Sequence, residues 1–364
     1  MKVVRYNYLA QFSDLDAVVA KLRGVLIDGR YVLAKEVEEF ERALGQYIGT
    51  PFARGLNTGT DALILAFAAL GIGPGDEVIT AANTFYATVA AIRLVGATPV
   101  LVDANDSSYL LDVEQVFSTA TSRTKSIVPV HLYGKPCPMA EIMHWADARQ
   151  LSVVEDAAQA HGARTGGRRV GSFGKIGCFS FHPSKNLAAA GDAGAIVTAD
   201  PAIDEFVVRA RSLGQRAQNE HVMLGGNTKL DTLQAIVLAD KLPRLDQWNA
   251  RRREIAAAYR ERLAGPPLRF QSVSSDEEHV FHLFVIRTDA RDRLLEHLRA
   301  NGVDAVIRYP QPIHLQPAFA DCSWRPGQFP VAESLAKELL CLPIRPDMGE
   351  GEIDYVAHTV KSFF

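Results

Sequence analysis

The chain has 364 residues, 48% hydrophobic and 22% charged, which is enough for one large globular domain and a smaller one. Its net charge of −3 offers no basic field for nucleic acid. Cys137, Cys178, Cys322 and Cys341 lie far apart with no CxxC pair, so neither a metal site nor a disulfide framework is expected.

The opening, MKVVRYNYLAQFSDLD, lacks the apolar core of a signal peptide. No segment reaches the roughly 18 continuous apolar residues of a membrane helix. A cytoplasmic protein without membrane or nucleic-acid partners is expected. An amphipathic pattern over 14–26 predicts a helix, closed by the turn Asp28-Gly29-Arg30-Tyr31. A second helix follows over 35–47, with Gly49 as its stop.

Asn57-Thr58-Gly59-Thr60-Asp61 then opens the apolar run ALILAFAAL. Small and polar residues before an apolar helix leave backbone N–H groups at a positive dipole end, a setting that suits phosphate. Ordinary capping by Thr58 or Thr60 would give the same pattern. A strand is predicted over 77–80, and Asn83-Thr84-Phe85-Tyr86 opens a helix running to Gly96. Phe85 therefore sits at a strand-to-helix corner, where an aromatic can stack on a flat ring or simply join the core.

Strands are read at 98–103 and 126–131, and helices at 113–121 and 139–149. This alternation argues for an α/β protein with a doubly wound, mainly parallel sheet. No GxGxxG follows the first strand, so a dinucleotide site is poorly supported.

The block 151–198 carries the chemistry. The run Leu151–Val154 ends at Glu155-Asp156, and Ile176–Phe181 ends in the turn His182-Pro183-Ser184, with Lys185 next. Short apolar runs bounded by turn residues read as buried strands. Ligands of α/β sheets bind outside the carboxyl ends of the strands. Asp156, Ser180 and Lys185 are thus expected at one sheet edge. A lysine for a Schiff base and an acid to keep a pyridine nitrogen protonated are what pyridoxal 5′-phosphate (PLP) needs. Taken singly, a lysine after a turn is a solvated residue and an aspartate at a strand end is a cap.

A helix is read over 203–213. Gly225-Gly226-Asn227 precedes another with Leu230, Leu233, Ile236 and Val237 at helical spacing, which Pro243 should break. The run Arg251-Arg252-Arg253 reads as a solvated helix face. Gly265-Pro266-Pro267 leads into a smaller C-terminal part with strands at 279–287 and 305–309 and helices at 289–301, 332–340 and 351–363. The expected division is 1–250 and 251–364. Three prolines pin the loop from Arg308 to Pro317, which contains Tyr309 and His314.

The strings EDAAQAHGA and GCFSFHPSKNLAAAGDAGAIVT resemble the signature of the DegT/DnrJ/EryC1/StrS family of nucleotide-sugar aminotransferases, which are fold type I PLP enzymes. The resemblance extends from Tyr31 to the LPIRP of 342–346. It implies a large domain with a seven-stranded, mainly parallel sheet between helices and a smaller C-terminal α/β domain. It also implies a homodimer with shared active sites.

In this resemblance Lys185 forms the Schiff base and moves protons, while Asp156 pairs with the pyridinium nitrogen. Gln159 contacts the ring hydroxyl and Phe85 stacks on the ring. Gly59, Thr60, Asp61 and Ser180 hold the phosphate, joined by Asn227 of a neighbouring subunit. Tyr31, His182, Tyr309 and His314 match positions around the substrate.

The implied reaction moves an amino group from L-glutamate to the C3 or C4 keto carbon of a nucleotide-linked deoxysugar. It is ping-pong, with pyridoxamine phosphate as the intermediate form. A cyclitol ketone is an alternative acceptor. A sugar dehydratase of the same family would carry His where this chain has Lys185. Two positions depart from the family pattern: Lys229 stands where Arg is usual, and Ala193 stands where GDGGA is expected. If Ala193 needed a positive φ, its methyl would cost about 1 kcal/mol.

Overall fold

The computed structural model describes residues 1–274 and 277–364. Its apolar runs build one sheet from β1 (Phe52–Leu56), β2 (Glu77–Ala81), β3 (Thr98–Val102), β4 (Thr124–Ile127), β5 (Ser152–Asp156), β6 (Ile176–Ser180) and β7 (Gly194–Thr198). The strand order is β1-β7-β6-β5-β4-β2-β3. Neighbours from β6 to β3 are parallel, while β7 runs antiparallel to both β1 and β6. The carboxyl ends of β1, β2, β5 and β6 therefore point to one edge.

Both faces of this sheet are covered. Cys178 and Ile196 join the apolar cluster of one face, and their neighbours Phe179, Ala195 and Val197 join the cluster of the other. This alternation is the strand period of two, buried on both sides by helices. The flanking helices are α1 (Leu15–Asp28), α2 (Lys35–Ile48), α3 (Gly59–Ala69), α4 (Tyr86–Leu94), α5 (Val113–Thr119), α6 (Met139–Ala148), α7 (Pro201–Ala210) and α8 (Thr232–Lys241). Leu230 precedes α8 instead of belonging to it.

Strands β1 and β7 have no counterpart in the sequence reading. Arg54 and Gly55 interrupt the apolar pattern of β1. Arg54 is half-buried and pairs with Asp204 at 2.7 Å and Glu41 at 3.1 Å.

Pro243 breaks the run after α8 with a 3₁₀ turn over Leu242–Arg244, as expected, and α9 (Leu245–Arg262) follows. The division expected at 250/251 falls inside this unbroken helix. Ile255 and Tyr259 of α9, together with Val3, pack into the C-terminal cluster. The arginine run is not wholly solvated. Arg252 is buried, and its guanidinium donates to the carbonyls of Phe281 at 3.1 Å and Ile344 at 2.8 Å.

The C-terminal part holds the antiparallel strands β8 (Arg269–Phe270), β9 (Phe284–Arg287) and β10 (Leu339–Leu342), with α10 (Arg291–Ala300), α11 (Pro330–Glu338) and α12 (Glu350–Lys361). Strand β10 lies where the predicted helix was to end, because a continuous Leu-Leu-Cys-Leu run has no periodicity of its own. Residues 305–309 form no strand. Val306 pairs with Cys341 alone, and the chain then turns toward the edge of the large sheet.

Among the described residues, no helix is long and apolar enough to cross a membrane. No group of three or more His, Cys, Asp and Glu side chains among them could hold a metal ion.

Candidate active site

At the shared edge, β1 leads into the N-terminus of α3, and β2 leads into Phe85, which precedes α4. Strand β5 ends at Asp156, and β6 ends at Ser180 with Lys185 one turn beyond. Together with His282, Arg308 and Tyr309 from the C-terminal part, these elements enclose a cavity of about 430 Å³. That volume is in the range of small-molecule sites.

Asp156 is almost fully buried, and its carboxylate is fixed by two donors. The Thr88 hydroxyl donates to Oδ2 at 2.8 Å, and the Ala158 N–H donates to Oδ1 at 3.1 Å. Lys185 lines the same cavity. Burial lowers its ammonium to about 8, Arg308 adds to the fall, and Asp156 opposes it. Amine and carboxylate thus face one space, and the amine is far more easily freed of its proton than an exposed lysine.

The α3 terminus shows why its residues are small. A Cβ on Gly59 would lie 2.6 Å from the Ser180 Cβ, and one on Gly194 would lie 2.3 Å from the Thr58 carbonyl oxygen. The backbone is therefore pressed against β6 and β7. The Thr58 hydroxyl accepts from the Asp61 N–H at 2.9 Å and donates to Oδ2 of Asp61 at 2.7 Å.

Asp61 is therefore a correction to the sequence reading. Its amide is already capped, and its side chain folds back on Thr58 instead of lining the cavity. The amides of Gly59 and Thr60 donate to nothing among the described residues. They lie beside Ser180 on the cavity wall.

Ala193 does not take a positive φ, so its methyl carries no backbone strain. It is buried, and its carbonyl accepts from the Phe181 N–H at 2.7 Å.

Gln159 is buried with its amide fully engaged. Its Oε1 accepts from the Tyr133 N–H at 2.9 Å, and its Nε2 donates to the Tyr309 hydroxyl at 3.1 Å. It does not line the cavity and acts on the site through Tyr309. The Phe85 and Tyr309 rings stand 5.3 Å apart in the cavity wall. His182 also lines it, with Nδ1 2.9 Å from the Ser184 hydroxyl.

Three expected residues lie elsewhere. Tyr31 is exposed and donates its hydroxyl to the Leu26 carbonyl at 3.0 Å. Asn227 is exposed, and its Oδ1 accepts from the Lys229 ammonium. His314 is a second correction. Its side chain is fully buried, with Nε2 2.9 Å from Glu333 and the ring edge-on to Phe329, so it borders no open space.

Thr88, His282 and Arg308 belong to the site but were given no site role in the sequence reading. Thr88 lies in the first turn of α4, so the strand-to-helix corner that places Phe85 at the sheet edge also brings Thr88 to Asp156. Burial holds His282 well below the usual histidine range, with Lys185 and Arg308 adding to the fall.

The arrangement fits PLP. An amine of lowered proton affinity, a buried and hydrogen-bonded carboxylate, two free helix-terminal amides beside a serine, and an aromatic wall surround one cavity.

A model of the DegT/DnrJ/EryC1/StrS aminotransferase family matches residues 14–361. The chain is 45% identical to a dTDP-3-amino-3,4,6-trideoxy-alpha-D-glucose transaminase of Streptomyces venezuelae, over 96% of this chain and 92% of that protein. It superposes on the crystal structure of S. venezuelae DesV in complex with a ketimine intermediate. The TM-score is 0.96 and the identity 43%, covering 100% of this chain and 98% of that one. It also superposes on NtdA from Bacillus subtilis with bound cofactor PMP. There the TM-score is 0.92 and the identity 30%, covering 99% of this chain and 85% of that one.

Proposed function

The chain belongs to the DegT/DnrJ/EryC1/StrS aminotransferase family, and on that premise we propose that it transfers an amino group from L-glutamate to the C3 keto carbon of a nucleotide-linked deoxysugar. The observation that carries this reading is the joint presence of Lys185 and Asp156 in one cavity with the unpartnered amides of Gly59 and Thr60. The S. venezuelae relative, named for a 3-amino sugar, supports C3 over C4.

The residues divide the work by chemistry. Lys185 holds the cofactor through its amine. As a free amine, its Nζ would take a proton from the substrate carbon or return one. Asp156, fixed by Thr88 and Ala158, holds the proton of the pyridine nitrogen. Gly59, Thr60 and Ser180 bind the phosphate at the positive end of α3. Phe85 and Tyr309 wall the ring and exclude water, with Tyr309 held in place by Gln159. PLP bound there supplies the electron sink that makes the substrate carbon acidic.

The active unit is a homodimer in this reading. Tyr31 and Asn227 stand on the surface of one protomer, and Asn227 reaches the phosphate cup of a second copy. Exposed apolar residues support such a contact, with Leu26 and Ile27 on α1 and Leu224 97% exposed. Four free cysteines accord with a cytoplasmic location.

The test is borohydride reduction of the PLP-loaded protein followed by peptide mapping. A pyridoxyl group on Lys185, absent from Lys185→Ala along with turnover, is the expected result. Label on another lysine, or normal turnover of Lys185→Ala, would remove the assignment.

A further inference from the structure

Besides Lys185, one guanidinium lines the cavity, that of Arg308. Its surroundings are unusual for an arginine of this chain. Arg54 and Arg211 meet Glu41, Arg345 meets Asp347 and Glu352, and Arg287 meets Glu338. Among the described residues, the Arg308 side chain meets no carboxylate and no carbonyl. Asp156 and Asp192 share the cavity wall with it, yet neither pairs with it. A half-buried guanidinium without a partner loses hydration for no return within the protein.

The backbone that carries it is fixed. The Tyr133 hydroxyl donates to the Arg308 carbonyl at 2.9 Å, and Gln159 holds the neighbouring Tyr309 hydroxyl at 3.1 Å. Its field reaches the interior of the cavity, where it lowers the proton affinity of both Lys185 and His282.

An amino donor of the α-amino acid class brings a carboxylate one carbon away from the amine that must reach the cofactor. Lys185 is not available to hold that carboxylate, because its amine is either bound to the cofactor or, once released, needed neutral to take the proton from the substrate carbon. Asp156 and Asp192 repel it. A guanidinium offers two parallel N–H donors in the geometry a carboxylate accepts. We propose that Arg308 is the anchor for the α-carboxylate of the amino donor, setting which amines this site accepts. The proposal rests on the transamination reading above.

The experiment compares wild type, Arg308→Gln and Arg308→Lys, each loaded with PLP. It follows the cofactor spectrum after rapid mixing with L-glutamate, or with 4-aminobutyrate, which keeps the side-chain carboxylate and lacks the α-carboxylate. Arg308→Gln should raise the half-saturating concentration of L-glutamate roughly 10- to 100-fold, the range for a lost hydrogen bond to a charged group. The same variant should leave the PLP content of the loaded protein unchanged and weaken the 4-aminobutyrate reaction far less than the L-glutamate reaction, and Arg308→Lys should recover part of the glutamate loss. An unchanged glutamate dependence in Arg308→Gln overturns the anchor, as does an equal loss for both amines. Wild-type protein that reacts with neither amine overturns the transamination reading and the anchor with it. That outcome is distinguishable because it shows before any variant is made.

Discussion

Lys185 makes a quantitative pH prediction. Covalent uptake of PLP requires the free amine, and burial brings its ammonium down to about 8 from 10.5. At pH 7.5 a value of about 8 leaves a substantial minority of chains with a neutral Lys185, against about 0.1% for an ordinary lysine, a gain on the order of 100-fold. The rate of PLP uptake by cofactor-free protein, followed by its visible band, should rise with pH and level off above about 8.

Two variants should move the midpoint in opposite directions. Asp156 favours the ammonium, so Asp156→Asn shifts the midpoint down. Arg308 disfavours it, so Arg308→Gln shifts it up. The same residue affects stability. Between pH 8 and 10.5 the folded chain holds one proton fewer at Lys185 than the unfolded chain, so its contribution to stability improves as pH rises through that window. An uptake rate that climbs without a break to pH 10.5, or variants that shift the midpoint the same way, would refute the reasoning.

Other residues give sharper, smaller tests. Thr88→Val removes a buried donor to the Asp156 carboxylate and should cost the cofactor-free protein roughly 1.5–3 kcal/mol in denaturant unfolding, which Thr88→Ser should largely spare. Equal stabilities for the two variants would dismiss that hydrogen bond. Gly59→Ala drives a methyl onto Ser180 and should weaken PLP retention about tenfold or more, given the roughly 1–3 kcal/mol of overpacking. Equilibrium dialysis showing wild-type retention would contradict the tight phosphate cup. His314→Ala removes one of the hydrogen-bond partners of Glu333 and should lower stability by about 1–3 kcal/mol while sparing the reaction with glutamate. A selective rise in the KM for the sugar would instead return His314 to the substrate.

Much of the site was legible because its parts lie at ends of strands. Asp156, Ser180 and Lys185 follow apolar runs, and a parallel sheet must bring such ends to one edge. What stayed hidden depends on packing in three dimensions. Asp61 has the composition of a phosphate turn, yet the choice between capping Thr58 and facing the cavity is made by side-chain geometry. His314 lies in a loop beside the site, and only its contact with Glu333 shows that it turns inward. Arg252 sits in an arginine run whose pattern looks solvated, while two carbonyls from distant segments bury it. Strand β10 hid in a uniform apolar run, and β1 hid behind Arg54, whose partners lie on other elements.

The most direct test of the central claim is the absorption spectrum of the PLP-loaded protein before and after adding L-glutamate, followed by a keto-sugar nucleotide. Loss of the visible band in favour of the pyridoxamine phosphate band, reversed by a nucleotide-linked 3-keto deoxysugar, is the predicted result. A visible band that L-glutamate leaves untouched, in protein shown to carry PLP on Lys185, would contradict the account.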